Sequence, residues 1–311
     1  MNKKLIIGLI AFLSLTSVAA QAAPTIQNKS ITNPTIAVLD TALDTSLPIF
    51  KNKIIFEACV TEWSSCPNGK SVMEGPGSAT LPKQFLSANG FDHGTQMTSI
   101  ALAVNPNINI VFVRIIGNGP TGLRQASGEP TVYNALDWVI ANKDRFNIQA
   151  VTMSQGFHPT STSADYCPKT PNTEAKVQTL ANANIPVFFP AGNARDYVRV
   201  DWPGCIKSAI TIGATMPTNE IAIYTNHDKN ITDFFALGTY RATTVGGTQV
   251  NVAGTSASTI TAAVQWATIK NLKPTLTYSQ VYDLISKTST PTSNSKITGG
   301  KLINMNGAIN G

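Results

Sequence analysis

The chain turns from a loop into a helix at Val252-Ala253-Gly254-Thr255-Ser256-Ala257-Ser258, and this stretch decides how the rest is interpreted. Apolar residues then recur at the helical spacing i, i+3, i+4 and i+7, at Ile260, Ala263, Val264 and Ala267. A glycine close to Ser256 lets another backbone approach, and a helix start presents N–H groups and the positive end of a dipole. Ser256 is therefore a candidate nucleophile; the alternative is an ordinary serine cap of the helix.

Two other residues complete a set of acid, base and hydroxyl. Asp40 follows the apolar, strand-like run 36–39, and His93 opens a segment with helical spacing. A serine hydroxyl is a poor nucleophile unless an imidazole takes its proton, and a buried carboxylate orients that imidazole. Asp44 and Asp92 compete for the role of acid, but both lie in turn-like contexts, whereas Asp40 ends a strand. The alternative for His93 is a histidine of the core.

Short apolar strands alternate with amphipathic helices from residue 36 onward, which is typical of a parallel sheet covered on both faces. The predicted strands are 36–39, 110–114, 150–153, 186–189 and 209–212. Helices are predicted after His93, around 132–140, over 174–183 and after Ser256. No internal repeat or linker divides the chain. The sequence therefore predicts a three-layer α/β domain with a mostly parallel central sheet and helices on both faces.

The order Asp, His, Ser differs from the orders in chymotrypsin and in the α/β-hydrolases. With their flanks, Asp40, His93 and Ser256 resemble the subtilisin-like (subtilase) serine protease family. The resemblance runs from Thr35 to Ala308. It includes, in chain order, AVNPN at 103–107, VFVR at 111–114, ALDWVIAN at 135–142, VTMSQG at 151–156, PVFFPAGN at 186–193, WPGC at 202–205, ITIGA at 210–214 and GKLIN at 300–304.

By this resemblance the fold is subtilisin-like, and the activity is hydrolysis of peptide bonds through an acyl-enzyme. Asn193 would donate to the oxyanion, although an asparagine after Gly192 is also typical of a left-handed turn. The catalytic triad implied by the resemblance consists of Asp40, His93 and Ser256. The residues expected to contact the substrate backbone are Ser154, Gln155 and Gly156, the alternative being a tight strand end.

Three positions depart from the pattern of the family. Ala42 stands where glycine is usual, Ile260 replaces a proline, and Pro190 stands where a small residue is common. None of these changes removes a catalytic group. Two other functions stay open: a catalytically silent subtilase-fold protein that binds peptides or a partner, and an ester hydrolase or peptide ligase that uses the same acyl-enzyme.

Four cysteines, an even number, indicate disulfide bonds formed in an oxidising compartment. Cys59 and Cys66 flank a short turn-like stretch, and Cys167 and Cys205 would join two more distant segments. Three pairings are possible, and we predict Cys59–Cys66 and Cys167–Cys205. The alternatives are four free thiols or a metal site, and no Cys-x-x-Cys spacing favours a metal.

The first 22 residues have the pattern of an export signal. Lys3 and Lys4 form its basic region, 5–15 form an apolar core too short to span a membrane comfortably, and 20–22 form a cleavage site. We therefore expect a signal peptide at 1–22, a short segment without a long propeptide at 23–34, and a subtilisin-like peptidase domain at 35–311. The mature chain would be secreted, as an extracellular or periplasmic protein; the alternative is a retained N-terminal anchor.

Composition limits what the protein is expected to bind. The formal net charge is +6 at pH 7, or about +4 without Lys3 and Lys4, and no run of lysine or arginine indicates a nucleic-acid surface. We expect a polypeptide substrate, no nucleic acid, no membrane span in the mature chain, and a monomer. No cofactor is required for the chemistry. The resemblance allows structural calcium, but no EF-hand-type loop is present, so a metal site stays unknown at this stage.

Overall fold

The computed structural model describes residues 33–125, 128–163 and 165–311, and Thr32–Gly311 cluster as one compact unit. The expected signal peptide, and almost all of the short segment at 23–34, lie outside the described residues. The strands are β1 (Thr35–Asp40), β2 (Ile54–Val60), β3 (Val72–Glu74), β4 (Asn109–Arg114), β5 (Ile148–Met153), β6 (Val187–Pro190), β7 (Ile210–Thr215), β8 (Thr232–Leu237), β9 (Thr239–Thr243), β10 (Gln249–Ala253), β11 (Thr290–Thr292) and β12 (Gly300–Leu302). The helices are α1 (Lys83–Leu86), α2 (His93–Val104), α3 (Glu129–Asn142), α4 (Pro171–Asn182), α5 (Thr255–Leu272), α6 (Tyr278–Thr288) and α7 (Met305–Asn310).

Ten of the described strands form one sheet, in the order β11-β12-β8-β7-β6-β5-β1-β4-β2-β3. Neighbouring strands run parallel from β12 to β2, and the two outermost pairs, β11–β12 and β2–β3, are antiparallel. Strand β1 lies inside the sheet between β4 and β5. An antiparallel hairpin of β9 and β10 stands apart from this sheet and leads into α5. The prediction of a mostly parallel central sheet is confirmed.

Helices cover both faces of the sheet because side chains alternate between the faces along each strand. In β4, Val111 and Val113 pack into the cluster that contains the buried residues of α3 and α4. Ile110 and Phe112 pack on the other face, into the cluster that contains the buried residues of α2, α5 and α6. This is the three-layer arrangement that the sequence predicts.

Helix α5 runs through the core, and residues outside its predicted apolar stripe are buried as well. Ile260 and Val264 are fully buried, and so are Ala262 and Trp266 on other sides of the helix. The helix packs against α2 and against the sheet strands β5 to β8. Ile260, which stands in place of the proline usual in the family, thus contributes directly to the core and lies in the second turn of an uninterrupted helix.

Two disulfide bonds link the described cysteines. Cys59, at the end of β2, is bonded to Cys66, seven residues later. Cys167, before α4, is bonded to Cys205, which lies 38 residues further along the chain. The larger of the two loops contains Asn193, so this bond restrains the segment between β6 and β7 that carries the expected oxyanion donor.

Removing the disulfide bond that closes the larger loop should destabilise the protein more than removing the bond that closes the smaller loop. In the chain-entropy estimate, closing a loop of 38 residues contributes about 4 kcal/mol to the free energy of unfolding, against about 2 kcal/mol for a loop of seven. Reversible urea unfolding of Cys167→Ala/Cys205→Ala and of Cys59→Ala/Cys66→Ala measures both losses. A larger loss from the Cys59–Cys66 pair would mean that packing around these buried atoms outweighs loop closure.

Candidate active site

The candidate site is built on Asp40, the last residue of β1. Every residue of this strand is buried, and Asp40 itself is 1 % exposed. Its Oδ1 atom accepts hydrogen bonds from the Thr41 backbone N–H at 2.7 Å and from Nδ1 of His93 at 2.7 Å. A buried carboxylate is costly unless it is hydrogen-bonded, and these donors all serve Oδ1, whereas Oδ2 is buried without a hydrogen-bond partner among the described residues.

His93 is the first residue of α2, as the sequence predicts, and its side chain remains 24 % exposed. Because the Asp40 carboxylate can only accept, the bonded Nδ1 carries the proton and Nε2 of the neutral ring is left as the free base. Burial alone lowers the pKa of His93, but the charge and hydrogen bond of Asp40 outweigh it, so the pKa lies above the ordinary value of 6.5. The alternative of a core histidine does not fit a ring that is partly open to solvent.

The two competing acids are bound elsewhere. Asp92 Oδ2 accepts from Gln96 and Thr244. Asp44 accepts from Ser46 and from the backbone N–H of Gly246. Among the three candidates, Asp40 is therefore the carboxylate that bonds His93.

Ser256 is the second residue of α5, whose N-cap is Gly254. The alternative of an ordinary serine N-cap is therefore wrong. Its hydroxyl approaches the Ser154 carbonyl oxygen at 3.5 Å, a long contact, while the Ser154 hydroxyl donates to the Ser256 carbonyl oxygen at 3.1 Å. These contacts tie the start of α5 to the carboxyl end of β5. Because β1 and β5 are parallel neighbours, His93 on Asp40 and Ser256 on Ser154 lie at the same edge of the sheet.

Asn193 lies beside the start of α5. Its Oδ1 accepts from the Thr255 backbone N–H at 2.9 Å and from the Thr255 hydroxyl at 3.1 Å. A backbone N–H can only donate, so these bonds fix the amide orientation and leave Nδ2 as its free donor. The left-handed backbone here belongs to Gly192, at φ 105°, and Asn193 has no positive φ. The sequence gives no sign that Thr255 holds this amide.

The three residues expected to contact substrate backbone have different surroundings. Gly156 is exposed, and a Cβ there would overlap the Trp202 carbonyl oxygen, so the close approach of the two segments requires glycine. Ser154 is bonded to Ser256 as described. Gln155 points toward the acid and base instead: its Nε2 lies 3.2 Å from Asp40 Oδ1 and 3.3 Å from His93 Nδ1. This last contact is not apparent from the sequence.

A second cluster of titratable side chains lies next to Gly192, the residue before Asn193. His158 Nδ1 lies 2.8 Å from Asp201 Oδ1, and His158 Nε2 lies 3.3 Å from Asp196 Oδ2. Asp196 also pairs with Arg199 at 2.6 Å. A Cβ on Gly192 would overlap the Asp201 carboxyl, so the cluster packs directly against the residue before Asn193. The sequence assigns His158 no role, because no partner spacing such as His-Glu-x-x-His surrounds it.

No group of three or more His, Cys, Asp or Glu side chains in residues 33–125, 128–163 and 165–311 is arranged to hold a metal ion. Over those residues, no helix has both the length and the apolar character needed to cross a bilayer.

These observations define a class: a parallel-sheet α/β protein with a carboxylate-bound histidine and a serine at two helix N-termini. A family model described as the subtilase family matches residues 32–305. Because the match spans most of the chain, this chain belongs to the subtilase family, a family of serine-type peptidases. The resemblance stated from the sequence is thereby confirmed.

Known relatives are distant in sequence but similar along most of the chain. Subtilisin E of Bacillus subtilis (strain 168) is 27% identical over 301 residues, covering 92% of this chain and 68% of that protein. Subtilisin Savinase of Lederbergia lenta is 21% identical over 242 residues, covering 75% of this chain and 82% of that protein.

Solved structures show the same fold. A lanthipeptide protease superimposes with a TM-score of 0.69 at 16% identity, covering 89% of this chain and 87% of that one. A cold-adapted subtilisin-like serine proteinase gives 0.64 at 20% identity, covering 86% and 87%.

Proposed function

We propose that the protein is an exported serine endopeptidase that hydrolyses peptide bonds through Ser256, His93 and Asp40. The observation that carries the proposal is the 2.7 Å contact between Nδ1 of His93 and the buried Oδ1 of Asp40. That contact leaves Nε2 of the neutral ring as the free base, and Ser256, the second residue of α5, lies at the same edge of the sheet. Membership of the subtilase family supports the same reaction class.

In the proposed reaction, Ser256 Oγ attacks the scissile carbonyl carbon while His93 Nε2 takes its proton. The imidazolium that forms is stabilised by the Asp40 carboxylate and returns the proton to the leaving amine. Water then attacks the acyl carbonyl carbon while His93 takes its proton, and His93 returns that proton to Ser256 Oγ as the ester bond breaks and the acid product leaves. Each step uses His93 first as an acceptor and then as a donor, which is why a fixed tautomer matters.

The developing oxyanion needs donors that are already in place. In our proposal Asn193 Nδ2 and the Ser256 backbone N–H supply them. Thr255 supports this role, since its N–H and hydroxyl hold the other end of the Asn193 amide. The Thr255 hydroxyl in turn accepts from the Gly192 backbone N–H at 3.2 Å, which links the two halves of the site.

The substrate in this proposal is an extended polypeptide whose backbone lies along Ser154 and Gly156. The open backbone at Gly156 supports such pairing. Two disulfide bonds and the signal-like N-terminal sequence support secretion. We propose a monomer that needs no cofactor for the chemistry.

Ser256→Ala should abolish peptide hydrolysis without unfolding the protein. In subtilisin, loss of the corresponding serine lowers kcat by about 10⁶-fold, and the resemblance implies a loss of that order here. A fluorophosphonate probe, which labels only an activated serine, should label the unaltered protein and not the variant. Ser258→Ala is the matched control from the same stretch and should keep both labelling and turnover. An unaltered protein that is folded but takes no label would instead be a catalytically silent relative.

Asn193→Ala should lower kcat by about 100- to 1000-fold and change KM little, because the oxyanion exists only in the transition state. Thr255→Val should also lower kcat, by a smaller factor of about tenfold, because it removes the hydroxyl that donates to the Asn193 amide and accepts from the Gly192 backbone N–H. Steady-state kinetics on a peptide substrate measure both effects. A rise in KM with unchanged kcat would make Asn193 a contact to the ground-state substrate.

The rate should rise with pH through the pKa of His93. Only the neutral imidazole accepts the Ser256 proton, and the pKa is raised above 6.5, so activity is lost as the pH falls through this higher value. The acid limb of kcat/KM should therefore have its midpoint above pH 6.5 and reach a plateau in alkaline solution. A profile with its maximum near pH 4 would indicate carboxylate chemistry and contradict the assignment.

A further inference from the structure

Gln155 is placed to act on the acid and base themselves. It follows Ser154 just beyond β5, a strand that pairs with β1, so its side chain can reach the end of β1. Its Nε2 lies 3.2 Å from Asp40 Oδ1, the same atom that accepts from His93. The sequence alone suggests a contact to the substrate backbone, and the side chain is turned toward the catalytic pair.

The orientation of the Gln155 amide is fixed from its other end. Arg124 Nη2 lies 2.5 Å from Gln155 Oε1. A guanidinium carries donors only, so the atom facing it must be the amide oxygen, and Nε2 must face Asp40. Arg124 itself is exposed, in the loop before α3, so one surface cation determines which group Gln155 presents to the buried carboxylate.

We propose that Gln155, held by Arg124, is a positioning residue for the Asp40–His93 pair. The proposal rests on the proposed function of that pair as acid and base. Since His93 Nδ1 donates to Asp40, it has no lone pair for the Gln155 amide at 3.3 Å, so Gln155 donates to the carboxylate and packs against the ring. It thereby restrains the ring in the orientation that leaves Nε2 free.

Gln155 and Arg124 also affect the proton affinity of His93. Burial lowers its pKa, Asp40 raises it, Arg124 lowers it, and Asp92 raises it; these are the charged groups that act on the ring from β1, from the loop before α3 and from the start of α2. A donor on Asp40 Oδ1 withdraws negative charge from the oxygen that His93 uses. Gln155 and Arg124 therefore both oppose the rise that Asp40 causes.

Gln155→Leu removes the amide and keeps a side chain of similar size. We expect kcat to fall about three- to tenfold, the effect of one lost hydrogen bond, with KM changed less than about twofold. The acid limb of kcat/KM should move to higher pH, because His93 becomes more basic. Gln178→Leu, in which an exposed glutamine of α4 is replaced, is the matched control. It should leave kcat, KM and the midpoint of the acid limb unchanged.

Arg124→Gln tests the contact between Arg124 and the Gln155 amide by changing only an exposed side chain. The acid limb should move in the same direction by a smaller amount, and the shift should fade at high salt because the charge is exposed. Arg241→Gln, at an exposed position of β9, removes the same charge and should cause no such shift. Equal shifts in the two arginine variants would overturn the role of Arg124.

A measurement that needs no turnover separates this proposal from the proposed function. NMR titration of His93 in Ser256→Ala, with and without Gln155→Leu, should show a higher midpoint when the amide is absent. If Gln155→Leu raises KM and leaves kcat and the His93 midpoint where they were, Gln155 is a substrate contact and the proposal fails. If the midpoint moves although the unaltered protein cleaves no peptide, the positioning role stands and the peptidase assignment fails.

Discussion

Strand β1 pairs in parallel with β4 on one side and with β5 on the other, and the site depends on this double pairing. The carboxyl ends of parallel strands meet at one edge of a sheet, so Asp40 ends beside the segment that begins with Ser154. Helix α5 packs on one face of the sheet and begins at the same edge, with Thr255 and Ser256. A shift of β1 by one residue would turn Asp40 to the opposite face of the sheet.

The second constraint is electrostatic. Asp40 is buried but has to keep its charge if it is to stabilise an imidazolium, and a buried charge needs hydrogen-bond donors. Thr41, His93 and Gln155 each place a nitrogen at or near hydrogen-bonding distance of Oδ1. The donors of Thr41 and of His93 Nδ1 both remain on Oδ1 while His93 gains and loses its proton at Nε2, so this oxygen keeps its partners throughout the proposed cycle.

The central strands and the helices that carry His93 and Ser256 could be predicted because apolar periodicity marks them. Strands β2 and β8 are not predicted: Glu57 interrupts the apolar run of β2, and Asp233 lies just before the short apolar run of β8. Glu57 in β2 accepts from the backbone N–H groups of Gly77 and Ala79. Asp233 in β8 accepts from the Thr211 N–H and the Tyr282 hydroxyl, and burial raises its pKa to about 6. Their partners come from distant segments, so pattern alone could not identify these residues as parts of strands.

The direction in which a side chain points could not be predicted from the sequence either. Asn193 and Gln155 are both amides near Ser256, and the family pattern assigns one to the oxyanion and the other to the substrate. In the structure each amide is oriented by a group that can only donate, the Thr255 N–H in one case and the Arg124 guanidinium in the other. The outcome is opposite, because Asn193 keeps its Nδ2 donor free at the start of α5 while Gln155 directs its donor into the acid–base pair. In our proposals these two similar residues therefore support different steps, Asn193 the transition-state charge and Gln155 the resting tautomer of His93.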